Sequence, residues 1–379
     1  MTPRFFFCIG IILFLHACQT KEEPATGWAE TGQQILDSLF NANPEAQGII
    51  LSIEQAKTGR SWTGAVGFAL DSAGPSLEAN QPVLLASNTK TYVSAAILRL
   101  AEQNKLRVDQ PISELLTAAT QEVLRRDTYE LEKIQVAHLL SHTSGIADYV
   151  SSPEYNERIQ TDPMYHWTRG EQIALAVSAM DKVGPPGKQF QYADVNYLLL
   201  TEIIEQLTEV PFYTAMRKLL NYEQLGLTET WFIDLEQQPK GSLPLAVQSM
   251  RAANLNTQTM SKTFDLYGGG GIAAPMHELR AFVRAAVTGQ VFDDPATAKR
   301  LLTNMDDPSL PEPTNYYFGI GEWEIAGHTA YGHGGFWGTT GCYIPSLDVA
   351  ASVAILEHGK RELRPVVLSL AVEKMVLAD

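Results

Sequence analysis

Residues 84–112 read LLASNTKTYVSAAILRLAEQNKLRVDQPI. The part YVSAAILRLA is apolar nearly all round, which predicts a helix over residues 88–103 that is buried on most of its faces. Ser87 stands at the start of this helix, and Lys90 follows three residues later on the same face. The helix dipole favours negative charge near Ser87, and a lysine within reach can accept the proton of a serine hydroxyl. Because an idle charge beside so apolar a helix is costly, the pattern favours a nucleophile with a basic partner over an ordinary N-cap serine.

Strand-like and helix-like segments alternate along the rest of the chain. Strands are expected near 48–54, 61–70, 316–325, 329–334, 339–344 and 349–356, and further helices near 28–42, 171–181, 195–208, 211–220, 276–287 and 361–377. Strands at both ends with helices between them imply one composite α/β unit.

Three further segments complete a set of four motifs. They are PPGKQFQYADVNYLLLTEIIEQLT at 185–208, HLLSHTSGI at 138–146 and YGHGGFWGTTG at 331–341. Together with the segment around Ser87, and in their order along the chain, they resemble class C β-lactamases, D-alanyl-D-alanine carboxypeptidases and related esterases of the β-lactamase and penicillin-binding-protein superfamily. Agreement in motif order adds much to patterns that are individually weak.

The resemblance implies a fold of class α/β (α+β), with an antiparallel β-sheet flanked by helices and a mainly helical part. We expect one catalytic domain over 28–379. Its sheet part would take about 28–85 and 312–379, its helical part about 86–311, and the active site would lie between them.

The resemblance also implies catalytic roles. Ser87 would attack the substrate carbonyl and form an acyl-enzyme. Lys90 and Tyr192 would move protons, and either could be the main base. The backbone amides of Ser87 and Phe336 would form the oxyanion hole.

Substrate-binding positions carried over from the family are Asp194, His333, Gly334 and Gly335, the two glycines leaving room for substrate. Asp194 departs from the usual Asn, and a carboxylate only accepts hydrogen bonds, so it would repel an acyl side-chain carbonyl and favour the charged form of Lys90. Gly334 lacks the hydroxyl that commonly binds a substrate carboxylate, although His333 could partly compensate if protonated. These departures predict an esterase or a hydrolase of unusual amides with weak β-lactam turnover.

The function expected is therefore acyl transfer to water from an ester, amide or lactam, without a cofactor. The substrate would be a small molecule or derived from peptidoglycan. The alternative is a catalytically retired lipoprotein that binds or senses acyl-D-amino peptides or β-lactams.

Three other features have simpler interpretations. His138 and His142 are four residues apart, but no H-E-x-x-H motif accompanies them, so packing is favoured over a metal site. Gly268–Gly271 matches G-x-G-x-x-A without a surrounding β-α-β unit and favours a close-packed turn. Cys342 lies on a predicted strand and is expected in the core.

The N-terminus has the pattern of an export signal. Arg4 precedes the apolar run Phe5 to Leu15, which is shorter than the roughly 20 residues of a membrane-spanning helix. Leu15-His16-Ala17-Cys18 resembles the bacterial lipoprotein cleavage box, so we expect a signal peptide at 1–17, a lipid on Cys18 and a tether at 18–27. A plain secretory signal or an uncleaved anchor is the alternative.

If the box is cleaved, the protein is exported and anchored in the cell envelope, and Gln19 after the cysteine favours the outer membrane. The full chain has 28 basic and 43 acidic residues, and so acidic a protein has no electrostatic footprint for nucleic acid.

Overall fold

The computed structural model describes residues 26–70, 74–302 and 315–378. The expected signal peptide and Cys18 lie outside the described residues, as does all of the expected tether but its last two positions.

Helices and strands follow one another in the following order. The helices are α1 (Thr26–Ala42), α2 (Thr89–Glu102), α3 (Ala118–Arg126), α4 (Val136–Leu140), α5 (Pro153–Thr161), α6 (Arg169–Ser178), α7 (Val195–Thr208), α8 (Phe212–Leu219), α9 (Met276–Thr288), α10 (Ala298–Leu301) and α11 (Leu363–Ala371). The strands are β1 (Gly48–Gln55), β2 (Arg60–Gly67), β3 (Val83–Leu84), β4 (Trp231–Phe232), β5 (Ser249–Met250), β6 (Leu255–Asn256), β7 (Ile272–Ala274), β8 (Gly321–Ile325), β9 (His328–Gly334), β10 (Thr339–Ile344) and β11 (Val349–Ile355).

The main sheet has six strands in the order β2-β1-β11-β10-β9-β8, and every pair is antiparallel. Within it β1 pairs with β11, with Ile49 opposite Ile355, so the two ends of the chain build one sheet. Strand β11 is buried throughout because helices cover both faces of the sheet. One face packs on α1 and α11 and the other on α9, where a Cβ at Gly341 would lie 2.8 Å from Leu279.

The helical part surrounds α2, whose residues Thr89 to Leu100 are all buried. This agrees with the nearly continuous apolar surface of that segment, and α2 packs against α7 and α8. A small sheet, β3-β7-β4, runs beside it. Strand β3 ends immediately before the turn that carries Ser87, so this sheet fixes where α2 begins.

Most expected strands and helices are present, with two corrections. The strand expected at 316–325 begins only at Gly321, because the chain first makes a turn in which Tyr317 N donates to Ile320 O and Gly319 has a φ of 68°. The C-terminal helix ends at Ala371 and continues as a π-helical turn, Val372–Leu377. Cys342 is buried in the core, as expected. None of the helices in the described part of the chain is long and apolar enough to span a bilayer.

Candidate active site

Ser87 lies in a short 3-10 turn, Ala86–Asn88, between β3 and α2. Ala86 has a φ of 47°, in a left-handed region that residues other than glycine rarely occupy. Such strain persists only where the surroundings impose it. The preceding Leu85 is held by its N–H bond to Ile272 O at 2.8 Å. The turn leaves Ser87 partly exposed at the end of α2.

Lys90 is fully buried, and its ammonium has three partners. Its Nζ lies 3.0 Å from Ser87 Oγ, 2.5 Å from Gly269 O and 2.6 Å from Asp194 Oδ1. Burial opposes the charge, but the Asp194 carboxylate, with Tyr192 and a further aspartate, outweighs it and holds the pKa of Lys90 above its ordinary value. Lys90 is therefore an ammonium at neutral pH, as the presence of Asp194 predicts.

Tyr192 precedes α7 and faces the same two side chains. Burial raises the pKa of its phenol to about 12, while the Lys90 charge and hydrogen bonds with Lys90 and Ser87 act in the opposite direction. The Lys90 Nζ lies 5.0 Å from the centre of the Tyr192 ring. Ser87, Lys90 and Tyr192 thus meet in one place, and both candidate bases carry a proton at neutral pH.

Two further aspartates lie near Lys90, and the sequence analysis did not predict them as site residues. Asp148 accepts a hydrogen bond from Asp194 N at 3.1 Å, and burial together with the Asp194 charge raises its pKa to about 7. Burial also raises the pKa of Asp265 well above its usual range. A Cβ at Gly270 would collide with the Asp265 carboxylate, so the glycine run is a close-packed turn against this acid. In the sequence, Asp265 stands three residues before the glycine run, and this position was the available signal that it belongs to the site.

The turn 335–338 between β9 and β10, which contains Phe336, is joined to the Ser87 turn by buried amides. Asn88 donates to Leu85 O at 2.9 Å and to Thr339 Oγ1 at 3.0 Å. Gln248 accepts from Leu84 N at 2.8 Å and donates to Trp337 O at 3.0 Å. The backbone next to Ser87 is therefore fixed relative to the backbone next to Phe336.

The model of the family described as Beta-lactamase matches residues 36–364. The chain belongs to the β-lactamase family. A relative from Salmonella paratyphi A, named putative D-alanyl-D-alanine carboxypeptidase, is 23% identical over 323 residues, which cover 74% of this chain and 70% of the relative.

Solved structures with this fold match this chain over almost its whole length. The D-stereospecific amidohydrolase from Streptomyces sp. matches with a TM-score of 0.74 and 19% identity, covering 92% of this chain and 99% of the other. The D-amino acid amidase from Ochrobactrum anthropi SV3 matches with a TM-score of 0.74 and 18% identity, covering 92% and 98%. These structures confirm the fold class, and the family match with the curated relatives confirms the family and the assignment as a hydrolase.

In this β-lactamase family member, His333 is not the cation that the sequence allowed. Its ring is buried, with Nδ1 donating to Gly334 O at 2.7 Å and Nε2 accepting from Tyr316 Oη at 3.0 Å. Burial and the Lys90 charge lower the pKa of His333 to about 3. His333 could partly compensate for the missing hydroxyl only if protonated, and this condition is not met at neutral pH, because the imidazole is neutral and both of its nitrogens are in hydrogen bonds.

The two glycines after His333 lie close to other parts of the protein. A Cβ at Gly335 would collide with Leu85 O and Thr339 Oγ1, and one at Gly334 would lie 3.3 Å from an Arg364 guanidinium nitrogen. Gly335 therefore permits close contact with the Ser87 turn, and Gly334 faces α11. That the two glycines leave room for substrate stays a prediction.

The two histidines of the 138–146 motif are structural. His142 Nδ1 accepts from Ala193 N at 3.2 Å, and its ring centre lies 4.3 Å from that of Tyr192. Burial and the Lys90 charge lower its pKa, so the ring is neutral. His138 Nδ1 accepts from Gln135 N at 3.1 Å. Across 26–70, 74–302 and 315–378, no group of three potential metal ligands is assembled.

Proposed function

We propose that this protein is a serine hydrolase that forms an acyl-enzyme through Ser87. The observation that carries the proposal is the contact of Ser87 Oγ with Lys90 Nζ at 3.0 Å, with Tyr192 beside both. A nucleophile, a cation and a tyrosine in mutual reach form the arrangement needed to activate a hydroxyl. A retired binder has no need of this arrangement.

In the proposed mechanism Ser87 Oγ attacks the acyl carbonyl carbon and its proton passes to Tyr192, once the Tyr192–Lys90 pair has lost one proton. The amides of Ser87 and Phe336 would hold the resulting oxyanion. Tyr192 then protonates the leaving alcohol or amine as its bond to carbon breaks. Water attacks the Ser87 ester with Tyr192 as base, which releases the acid and restores the serine.

The substrate is proposed to be an ester or amide in preference to a β-lactam. Penicillins and D-alanyl peptides carry a carboxylate, and the two groups considered for binding it are a neutral His333 and a glycine, Gly334. The names of the relatives, a D-alanyl-D-alanine carboxypeptidase and D-amino acid amidases, support small acyl donors, including ones derived from peptidoglycan.

The location of the protein in the cell is proposed from the sequence. The apolar run Phe5 to Leu15 and the cysteine at position 18 support export and lipid anchoring in the cell envelope.

Labelling with a fluorophosphonate tests the proposed nucleophile. The wild type and Ser151→Ala, which changes an exposed serine, should take up the label and hydrolyse a short-chain p-nitrophenyl ester. Ser87→Ala should do neither. Label on Ser87 without catalytic turnover would identify the retired binder, and ester hydrolysis that survives Ser87→Ala would refute the mechanism.

A further inference from the structure

Arg364, the second residue of α11, donates hydrogen bonds to the turn 335–338, which contains one of the two proposed oxyanion-hole amides. Its Nη1 lies 3.1 Å from Gly335 O and 2.8 Å from Thr339 O. Gly335 O and Phe336 N belong to the same peptide group. The guanidinium therefore bonds the carbonyl end of the peptide group whose N–H end would hold the oxyanion.

The N–H end of this peptide group is available to a ligand. Within the described residues the Phe336 N–H has no acceptor, and Phe336 is 41% exposed. Its ring packs on His358, with the two ring centres 4.5 Å apart. The segment 358–364 thus contacts this turn at two points, through His358 and through Arg364, and leaves the amide between them free to donate.

The turn is closed by backbone bonds of its own. Gly338 N donates to Gly335 O at 3.0 Å, and Gly335 N donates to Thr339 O at 2.7 Å. These two bonds fix the shape of the turn. The contribution particular to Arg364 is a charged donor at the Gly335 carbonyl.

The charge of Arg364 has no direct carboxylate partner. None of the ion pairs formed within 26–70, 74–302 and 315–378 includes it. Burial and the positive charge of Arg361 lower its pKa, and Glu362 acts in the opposite direction. A guanidinium nevertheless stays protonated in proteins. Since Nε also donates to Arg361 O at 2.7 Å, the charged group is held against backbone carbonyls.

The two proposed oxyanion-hole amides differ in this respect. The carbonyl of the Ser87 peptide group, Ala86 O, accepts from a neutral donor, Thr89 N. Hydrogen bonds from a charged donor are roughly twice as strong as those from a neutral one, and hydrogen bonds in a chain polarise one another. The Phe336 N–H is therefore the more strongly polarised of the two donors.

We propose that Arg364 is a positioning residue for the hydrolysis, which holds and polarises the Gly335–Phe336 peptide group so that the Phe336 N–H binds the oxyanion more strongly. The proposal rests on the proposed function, with Ser87 as the nucleophile. Negative charge develops on the acyl oxygen as Ser87 attacks, so a stronger donor stabilises the transition state more than the bound ester. Arg364 should accordingly act on kcat and have little effect on KM.

Arg364→Met removes the charge and the bonds to the turn but keeps a long side chain. For a short-chain p-nitrophenyl ester it should lower kcat by about 5- to 50-fold, less than the loss of a whole oxyanion donor, and change KM less than about twofold. Arg364→Lys keeps a cationic donor and should lie between Arg364→Met and wild type. Titration with a fluorophosphonate counts the folded sites in each variant.

Arg361→Met is the matched control, because it removes an arginine of the same segment whose Nη1 donates to His358 O instead of the turn. Its kcat should stay within about threefold of wild type, since a solvent-screened charge has little effect at a distance.

The carbonyl stretch of the acyl-enzyme reports on the oxyanion hole directly. With p-nitrophenyl pivalate, Ser87 Oγ takes the pivaloyl group and p-nitrophenol leaves with the serine proton, while the bulky acyl group slows hydrolysis of the new ester. Strong hydrogen bonds to a carbonyl lower its stretching frequency. Infrared difference spectra, with an isotopic label in the carbonyl, should therefore show a higher frequency in Arg364→Met than in wild type, an intermediate one in Arg364→Lys and no change in Arg361→Met.

Wild-type kcat per titrated site in Arg364→Met overturns the proposal. A loss of kcat with an unchanged carbonyl frequency does so too, because Arg364 would then act outside the oxyanion hole. Equal losses in Arg361→Met would assign the effect to general positive charge, and equal losses in Arg364→Lys and Arg364→Met would exclude the charged donor. These outcomes leave the proposed function intact as long as Ser87→Ala takes up no pivaloyl group. Acylation of Ser87→Ala would refute both.

Discussion

Lys90 directs its ammonium at Ser87, Gly269 and Asp194 from a fully buried position. Replacing such a charge without its partners would leave an uncompensated buried carboxylate. The pairing also has a chemical consequence. With Lys90 protonated and the pKa of Tyr192 near 12, neither can accept the Ser87 proton until the pair loses one of its own.

We therefore expect kcat/KM for a neutral ester to rise from about pH 7 to about pH 10, because the deprotonated fraction of the Tyr192–Lys90 pair grows tenfold with each pH unit below its pKa. Tyr192→Phe should lower turnover by about 10²- to 10⁴-fold and remove the rise. Initial rates, corrected for spontaneous hydrolysis, provide the measurement. A flat wild-type profile over this range would show that a base of lower pKa activates Ser87.

Asp148 links the site to stability. Its pKa of about 7 in the folded protein lies above the ordinary aspartate value of 3.8, so between these two pH values the folded chain holds a proton that the unfolded chain releases. The contribution of protonated Asp148 to the free energy of unfolding is fully present below about pH 4 and is lost as the pH rises towards 7. Asp148→Asn should flatten this slope and raise the free energy of unfolding at about pH 8 by about 1–3 kcal/mol.

Urea titrations at about pH 5 and about pH 8 measure the Asp148 effect. Asn can still accept the hydrogen bonds from Val150 N and Asp194 N that Asp148 accepts, so the comparison isolates the ionisation. Equal destabilisation of Asp148→Asn at both values would assign a purely structural role to the carboxylate.

The sequence predicted the residues of this site that lie within the four motifs. It did not predict the charge states that depend on burial. Ser87, Lys90, Tyr192 and Asp194 come together in the structure as their motif order implied. His333 was expected to be capable of charge, but burial beside Lys90 makes it neutral. Asp265 lies outside the four motifs, and its place shortly before the glycine run is a weak signal for the contact that it makes with Gly270.

At the scale of elements, the strand β3 and the turn between β9 and β10 are joined by Gln248, which lies more than 80 residues from either. Its amide bonds both Leu84 and Trp337. Trp337 follows Phe336 directly and Leu84 lies three residues before Ser87, so we expect Gln248 to act as a positioning residue for the two proposed oxyanion-hole amides. Sequence periodicity predicted the strands, but it has no information on contacts between residues so far apart.

Gln248→Met should lower kcat by about 10- to 100-fold and change KM little, because displaced oxyanion donors weaken binding of the transition state more than of the substrate. Gln55→Met is the control. Gln55 is a buried glutamine opposite Val349, at the other end of β11 from the site. Active-site titration with a fluorophosphonate corrects for misfolded protein.

If Gln248→Met keeps wild-type kcat per titrated site, or if Gln55→Met loses as much, Gln248 has only a structural role. A boronic acid inhibitor offers a second readout. Its affinity should fall in parallel with kcat, because it forms the same tetrahedral geometry at Ser87.

At the scale of the whole molecule, the fold brings the chain ends together. Strand β1 pairs with β11, and α1 packs beside α11 on the same face of the sheet. The sequence predicted this closure through strands at both ends. The described part begins at α1, on the face of the sheet opposite α9, so any attachment preceding Thr26 would join the molecule away from the helices around α2.

Cys18→Ala should release the protein from membranes. A net charge of −15 at pH 7 repels an anionic membrane surface, and the proposed anchor is the lipid on Cys18. Metabolic labelling with an alkyne fatty acid, followed by fractionation, should find label and membrane association in the wild type and in Cys8→Ala, which changes a cysteine within the proposed signal. Cys18→Ala should lose both.

A Cys18→Ala protein that still incorporates the fatty acid would place the lipid elsewhere. One that sediments with membranes without label would indicate an uncleaved anchor in the run from Phe5 to Leu15.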